Sequence, residues 1–333
     1  MSSASGIAGI EFRDPELEAA VRAGLTLVEE RLLAAVRSDD GLVDETGRHL
    51  LQAGGKRFRP LVVLLAAAFG DMTCPSVVPA AVVVELTHLA TLYHDDVMDE
   101  ADVRRGAVSA NARWTNTVAI LTGDFLFARA SDILADLGPE AVRIQARTFE
   151  RLVMGQIHET TGAPADVDSV AHYLDVVAEK TGSLIATSGR FGAMFGGADE
   201  ATTDILTAYG EIIGVAFQLS DDLLDITSEA AESGKTPGTD LREGVPTLPV
   251  LYALGSDDPD EARLRDLIAK PLADDALHAE ALDLLRRSPA QAKARATLAS
   301  YASQARDLLE PLPDVSARTA LESLADFVVA RTG

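Results

Sequence analysis

Apolar residues return at intervals of three and four along most of this chain, which is the period of an α-helix and not the alternation of a strand. The pattern runs through residues 16–35, 77–99, 119–137, 140–160, 169–195 and 202–226. Several of these segments are apolar on more than one face, and helices of that kind sit inside a bundle. Breaks fall at Gly and Pro clusters. Residues 161–168 (TGAPADVD) are one and 196–200 another. The longest polar stretch is 227–249, which Pro237, Pro246 and Pro249 prevent from being one continuous helix. Long loops in compact domains often act as lids. No fixed-period repeat and no linker divides the chain, so the expectation is a single all-α domain over residues 1–333.

Composition agrees with a large buried core. The chain is 47% hydrophobic with a mean hydropathy of +0.11, and only 5% aromatic, which favours helix over sheet. Charge adds a different constraint. With 29 Lys+Arg against 52 Asp+Glu, the net charge of -23 repels nucleic-acid phosphates and anionic lipid at long range. No nucleic-acid partner is expected, and an anionic ligand would need local cations or metal ions. Cys74 is the only cysteine, so no intrachain disulfide can form, as suits a reducing cytosol. The first residues show no secretory pattern, and the longest apolar run, 61–69, is far short of a membrane span. A soluble, cytoplasmic protein is expected.

The candidate chemistry begins at Asp95-Asp96-Val97-Met98-Asp99. On a helix, Asp95 and Asp99 share a face one turn apart, with Asp96 beside them. Carboxylates so crowded repel one another unless a cation joins them, and oxygen ligands suit hard cations such as Mg²⁺. The arrangement returns at Asp221-Asp222-Leu223-Leu224-Asp225, again among apolar neighbours. One such motif is most often a solvated acidic face. Two, each on an apolar helix, could hold several Mg²⁺ ions against phosphate oxygens.

Basic clusters stand out in so acidic a chain. Arg104-Arg105-Gly106 follows the first acidic motif, and Gly54-Gly55-Lys56-Arg57-Phe58-Arg59-Pro60 lies upstream. Arg and Lys are the usual hosts of phosphate, although Arg104 and Arg105 could equally neutralise Glu100 and Asp102. His88 lies seven residues before Asp95 on the same helix. Lys180-Thr181 interrupts the segment 169–195, Gln218 lies one turn before Asp222, and Lys235 falls in the long polar loop.

In order and joint occurrence, the segments GGKRFRP, ELTHLATLYHDDVMDEADVRRG, LTGDFLFARA, EKTGSL, GVAFQLSDDLLDI and GKTPGTDLREGVPTLP resemble the trans-polyprenyl diphosphate synthase family. The resemblance implies an isoprenoid-synthase-type helical bundle with a central active-site cavity, usually a homodimer. It implies isopentenyl diphosphate and an allylic diphosphate as substrates. Lys56, Arg59, His88 and Arg105 would hold the first, while Arg104, Lys180 and Lys235 would contact the second. Asp95, Asp96, Asp99, Asp221, Asp222 and Asp225 would bind Mg²⁺, several ions per site. Thr181 and Gln218 would lie beside a developing carbocation. The family often has a lysine where this chain has Val245, which removes one cation from the last motif.

The growing tail would run below Asp95 past Thr91, Ala90 and Thr87, all small, towards a long product of the hexaprenyl to decaprenyl class. An alternative floor is Phe125 or Met154, with a farnesyl or geranylgeranyl product. Terpene cyclases share the acidic motifs but have no isopentenyl diphosphate to hold, which the basic clusters oppose. A non-catalytic subunit of a heteromeric synthase would be expected to lose aspartates, and this chain keeps all six. Transient membrane contact would serve release of a lipophilic product.

Overall fold

The computed structural model describes residues 7, 9, 10, 12–227 and 237–332, and they are almost wholly helical. The helices are α1 (Pro15–Ala35), α2 (Gly41–Gln52), α3 (Phe58–Ala67), α4 (Val77–Met98), α5 (Ala110–Arg113), α6 (Asn116–Leu137), α7 (Pro139–Thr161) and α8 (Ser169–Val177). They continue as α9 (Ser183–Gly196), α10 (Glu200–Thr227), α11 (Thr239–Glu243), α12 (Leu248–Leu254), α13 (Ala262–Ile268), α14 (Asp275–Arg287), α15 (Pro289–Leu309) and α16 (Ser316–Ala330). Every segment with the helical period is helix. Short acids start several of them. Asp14 accepts from the backbone N–H of Glu16 and Leu17 ahead of Pro15, and Asp40 does the same for α2.

Two compact units are present, each assembled from three stretches. The first takes Met1–Glu150, Leu184–Gly210 and Leu309–Ser323. At its centre is α4, packed against α1, α3 and α6. Helix α3 is buried along its whole length, and α4 buries residues on every face, so their apolar character is used up in the core. By length and composition α4 could cross a membrane, but it is mostly buried inside the protein. Small residues set the closest crossings. A Cβ on Gly192 of α9 would lie 2.2 Å from the Val63 carbonyl oxygen of α3, and one on Gly123 of α6 would lie 3.1 Å from the Ala90 carbonyl oxygen.

The second unit takes Arg151–Ser183, Glu211–Leu308 and Leu324–Gly333. Its own core joins Ile226 at the end of α10 to Leu241, Val250, Leu264, Leu267 and Leu285. Between α8 and α9 the helix widens into one π-turn, Ala178–Gly182, at the place where Lys180-Thr181 interrupts the apolar pattern.

The crossing at Gly192 yields the first prediction. Gly192→Ala should destabilise the protein by roughly 1–3 kcal/mol or more, because the backbone oxygen it meets cannot swing aside. Gly41→Ala, where a Cβ meets nothing within 4 Å, should be close to neutral. Equal urea midpoints for the two variants would contradict the packing described.

Candidate active site

The first acidic motif ends α4. Asp96 is fully buried, Asp95 is half-buried and Asp99 is exposed. After Asp99 and the left-handed Glu100, the chain turns back as a small hairpin, β1 (Val103–Arg104) paired antiparallel with β2 (Ala107–Val108). Arg104 opposes Ala107, leaving Arg105-Gly106 as a two-residue loop with φ of 54° and 74°. Two successive positive φ values make the tight turn whose twist matches the strands, and Gly106 takes the second at no steric cost. The hairpin lays Arg104 back over α4, its Nε 2.5 Å from Asp96 Oδ1 and its Nη2 3.5 Å from Asp99 Oδ2. The alternative partners Glu100 and Asp102 are thus corrected to Asp96 and Asp99.

Arg105 points to the other side and donates to the carbonyl oxygens of Leu50 and Gly54. It meets there the loop that starts α3, where Gly54, Gly55 and Arg57 all have positive φ. Lys56 is exposed on this loop and Arg59 half-buried. His88 is held well below the ordinary histidine range, by burial first and then by the charges of Arg59, Arg105, Arg104 and Arg57. It is neutral at physiological pH. Four guanidinium groups thus lie near enough to His88 to disfavour its charge, in a protein of net charge -23.

The second acidic motif lies on α10. Asp222 is buried; its carboxylate accepts from the Tyr173 hydroxyl and, at 2.9 Å, from Gln218 Nε2. Gln218 in turn accepts from the Thr181 hydroxyl at 3.2 Å. The sequence-read residues Thr181, Gln218 and Asp222 therefore form one hydrogen-bonded chain. Thr181 reaches it from the π-turn, a widening that recurs at functional sites. Gly155 of α7 allows this turn to pack closely, since a Cβ there would lie 2.9 Å from the Lys180 nitrogen. Lys180 itself donates to Glu159. Asp221 is held by Arg331 near the C-terminal end, with Nη2 2.6 Å from Asp221 Oδ1. The Asp225 carboxylate accepts from the backbone N–H of Thr239 and Asp240 at 3.3 Å. Val245, where the family often has lysine, is 38% exposed, leaving room for a longer side chain. Lys235 lies outside the described residues.

Among the described residues no three carboxylate, imidazole or thiolate groups converge as a ready-made cation cage. The acids are instead turned to Arg104, Tyr173, Gln218 and Arg331. The donor set nonetheless fits Mg²⁺. All the ligands are hard oxygens, and the second oxygen of Asp96 is buried without any hydrogen-bond partner. Tyr173, Arg331 and Glu85 escaped the sequence reading, which took Arg57 only as one member of the basic cluster. Of the three, only Glu85 carried a signal, as an acid on an otherwise apolar helix.

Of the residues read as walls of a tail pocket, Thr87 lines a cavity of about 170 Å³ together with Phe127, Leu134, Val142, Gln145 and Phe149. Ala90 and Thr91 do not; Ala90 is buried where α6 crosses at Gly123. The floor candidates also change. Phe125 turns towards Gly47 of α2 and Met154 is exposed, whereas Phe127 and Phe149 pair with ring centroids 4.5 Å apart.

Residues 40–285 match the polyprenyl synthetase family. A nonaprenyl diphosphate synthase of Mycobacterium tuberculosis is 54% identical over 331 residues, spanning 99% of both chains. A dimethylallyltranstransferase of the same organism is 43% identical over 97% of this chain and 99% of that one. Among solved structures, a geranylgeranyl pyrophosphate synthase of Corynebacterium glutamicum, complexed with calcium and isoprenyl diphosphate, has a TM-score of 0.87 at 49% identity. The match covers 97% of this chain and 100% of that one.

The burial of Asp222 makes a pH prediction. Burial raises its pKa to about 7, against the hydrogen bonds from Tyr173 and Gln218; the neighbouring charges of Asp221 and Asp225 add to the rise. Because this pKa is higher folded than unfolded, its contribution to stability is complete below the unfolded value of about 4 and is lost as pH rises to about 7. In metal-free protein, Asp222→Asn should flatten the fall in Tm over that window. Parallel Tm profiles for the two proteins would show that Asp222 is already ionised well below pH 7.

Proposed function

We infer the reaction from one premise: the chain belongs to the polyprenyl synthetase family. It is a trans-prenyltransferase. We propose that it joins isopentenyl diphosphate head to tail (1′-4) to an allylic diphosphate and repeats the step to a long all-trans polyprenyl diphosphate. The observation that carries this reading is a second cationic site, where Arg105 bonds the Gly54 carbonyl of the loop bearing Lys56 and Arg59, beside His88. A terpene cyclase, which ionises a single diphosphate, has no use for that second anion host.

The division of labour follows residue by residue. Lys56, Arg59, neutral His88 and Arg105 hold isopentenyl diphosphate. Asp95, Asp96 and Asp99, with Asp221, Asp222 and Asp225, would hold Mg²⁺ on the allylic diphosphate. The bound metal supplies neutralisation of charge on the departing diphosphate. Arg104, Lys180 and Lys235 add cationic contacts to the same group. As the allylic C–O bond breaks, the double bond of isopentenyl diphosphate supplies the electrons of the new C–C bond, and the departed diphosphate takes the proton that is lost. Thr181 and Gln218 turn oxygen dipoles towards the short-lived cation. An apolar surround matters because water would trap that cation as an alcohol.

A product of the hexaprenyl to decaprenyl class is supported by the small side chains along α4 and by the cavity at Thr87, about 12 Å below Asp95 at 1.5 Å per residue. The 54% identity to a nonaprenyl diphosphate synthase favours the same length class. The protein would act in the cytoplasm as a homodimer, for which exposed Ile120 and Leu121 on α6 and Val142 on α7 offer apolar surface. Release of so apolar a product would involve brief contact with a membrane.

Incubation with isopentenyl diphosphate, Mg²⁺ and several allylic primers, followed by chromatography of the dephosphorylated products, tests the reading directly. Prenols longer than geranylgeraniol are expected. Termination at farnesol or geranylgeraniol would refute the length assignment, and no condensation at all would refute the reaction. Asp95→Ala should lower turnover by on the order of 10³-fold or more with the fold intact. Thr87→Phe should shorten the product while sparing the first condensation. An unchanged product ladder would place the tail elsewhere.

A further inference from the structure

The first unit holds a buried charge cluster that none of the proposed substrate contacts explains. Glu85 lies on α4, three residues before His88, and is 2% exposed. A carboxylate so placed is costly unless it is paired. Its partner is Arg57, whose Nη1 lies 3.2 Å from Glu85 Oε1. The same oxygen is 4.0 Å from Nη2 of Arg105. Glu85 thus stands against two guanidinium groups at once.

Arg57 has no donor left for a substrate. Its Nε and Nη2 make a two-point contact to Glu29 of α1 at 2.8 and 3.0 Å, Nη2 also donates to the Leu51 carbonyl at 3.1 Å, and Nη1 is shared between Glu85 and the Gly54 carbonyl at 3.3 Å. Those bonds use all five N–H groups of a guanidinium. Arg57 therefore sits inside the Lys56–Arg59 loop as a brace. Arg105 donates to the same Gly54 carbonyl oxygen. The like charges of Arg57 and Arg105 meet on one backbone oxygen, with Glu85 as the buried counter-charge.

The backbone is fitted to this arrangement. Arg57 and Arg105 both adopt left-handed φ, 49° and 54°, which non-glycine residues seldom do. Between them lies Gly55, where a Cβ would stand 2.8 Å from Arg57 Nη1 and 3.1 Å from Arg105 Cζ. Any side chain at position 55 would force the guanidinium groups apart.

We propose that Glu85, acting through Arg57 and Arg105, is the positioning residue that preorganises the isopentenyl diphosphate site, leaving the allylic half of the reaction untouched. This inference rests on the reaction proposed above. Glu85 does not meet the substrate. It holds Arg105 and the loop bearing Lys56 and Arg59 in place before the anion arrives, so binding does not have to order them.

Steady-state kinetics with each substrate varied in turn tests this. Glu85→Gln keeps the shape and removes the charge. It should raise KM for isopentenyl diphosphate by about tenfold or more, with kcat and the allylic KM within about threefold of the parent. Gly55→Ala, which disturbs the same two guanidinium groups from an exposed loop, should reproduce the split even where Glu85→Gln folds poorly. Adding Arg57→Gln to Glu85→Gln should raise that KM little further, since the two act as one unit. The inference is overturned if both KM values and kcat change together, if neither Glu85→Gln nor Gly55→Ala moves the isopentenyl diphosphate KM, or if the double variant is additive. A parent protein with no condensation activity would instead refute the proposed reaction.

Discussion

A carboxylate on an apolar helix needs a positive or hydrogen-donating partner, and this requirement organises both acidic motifs. Asp96 is fully buried and Asp222 nearly so. Leaving either unpaired would cost several kcal/mol. The chain answers the demand differently in its two units. Asp96 is met by the guanidinium of Arg104, returned by a tight hairpin. Asp222 is met by the neutral donors Tyr173 and Gln218. Burial raises the pKa of both: at Asp96 the ion pair to Arg104 opposes the rise, whereas at Asp222, with only neutral donors and the charges of Asp221 and Asp225 adding to it, the rise reaches about 7.

The same requirement accounts for the donors that the acids meet. Carboxylates crowded within two turns of helix repel, and Asp96, Asp221, Asp222 and Asp225 each accept from a neighbouring donor. Arg331 takes Asp221 while also donating to the Phe217 carbonyl and the Ser220 hydroxyl. On the proposed reading, a divalent cation would have to compete with these contacts. The second oxygen of Asp96 is buried without a hydrogen-bond partner of its own.

How far the sequence reveals this depends on how local each contact is. The long helices up to α10 were legible because their apolar residues repeat over several turns, whereas α15 and α16 were not among the segments read. The chain of Thr181, Gln218 and Asp222 was partly legible, because the i, i+4 spacing of Gln218 and Asp222 is itself a contact on a helix. The hairpin was not, since strands of two residues have no period to read. Tyr173 and Arg331 were hidden for another reason. They reach Asp222 and Asp221 across 49 and 110 residues, and nothing local marks them. Helix α2 was missed because its twelve residues are half polar, despite the N-cap signal of Asp40.

The proposed tail pocket shows the limit of reading one helix alone. Counting down α4 by the helical period places Thr91, Ala90 and Thr87 beneath Asp95, but period says only which face a residue occupies. What stands opposite is decided by the neighbour. Gly123 lets α6 approach α4 so closely that a Cβ there would lie 2.3 Å from His94 Nε2 and 3.1 Å from the Ala90 carbonyl oxygen. Space opens lower, at Thr87, where Ala130 and Ser131 of α6 leave a gap towards α7. That gap is not plain apolar surface. Gln145 donates to the Thr87 hydroxyl at 2.8 Å, while its own carbonyl oxygen is buried without a partner. An apolar tail passing here would have to break or skirt a polar cross-link that α4 alone gives no reason to expect. Small side chains along one helix are therefore necessary for a long product but not sufficient. The depth open to the tail depends equally on how α6 and α7 line the opposite wall.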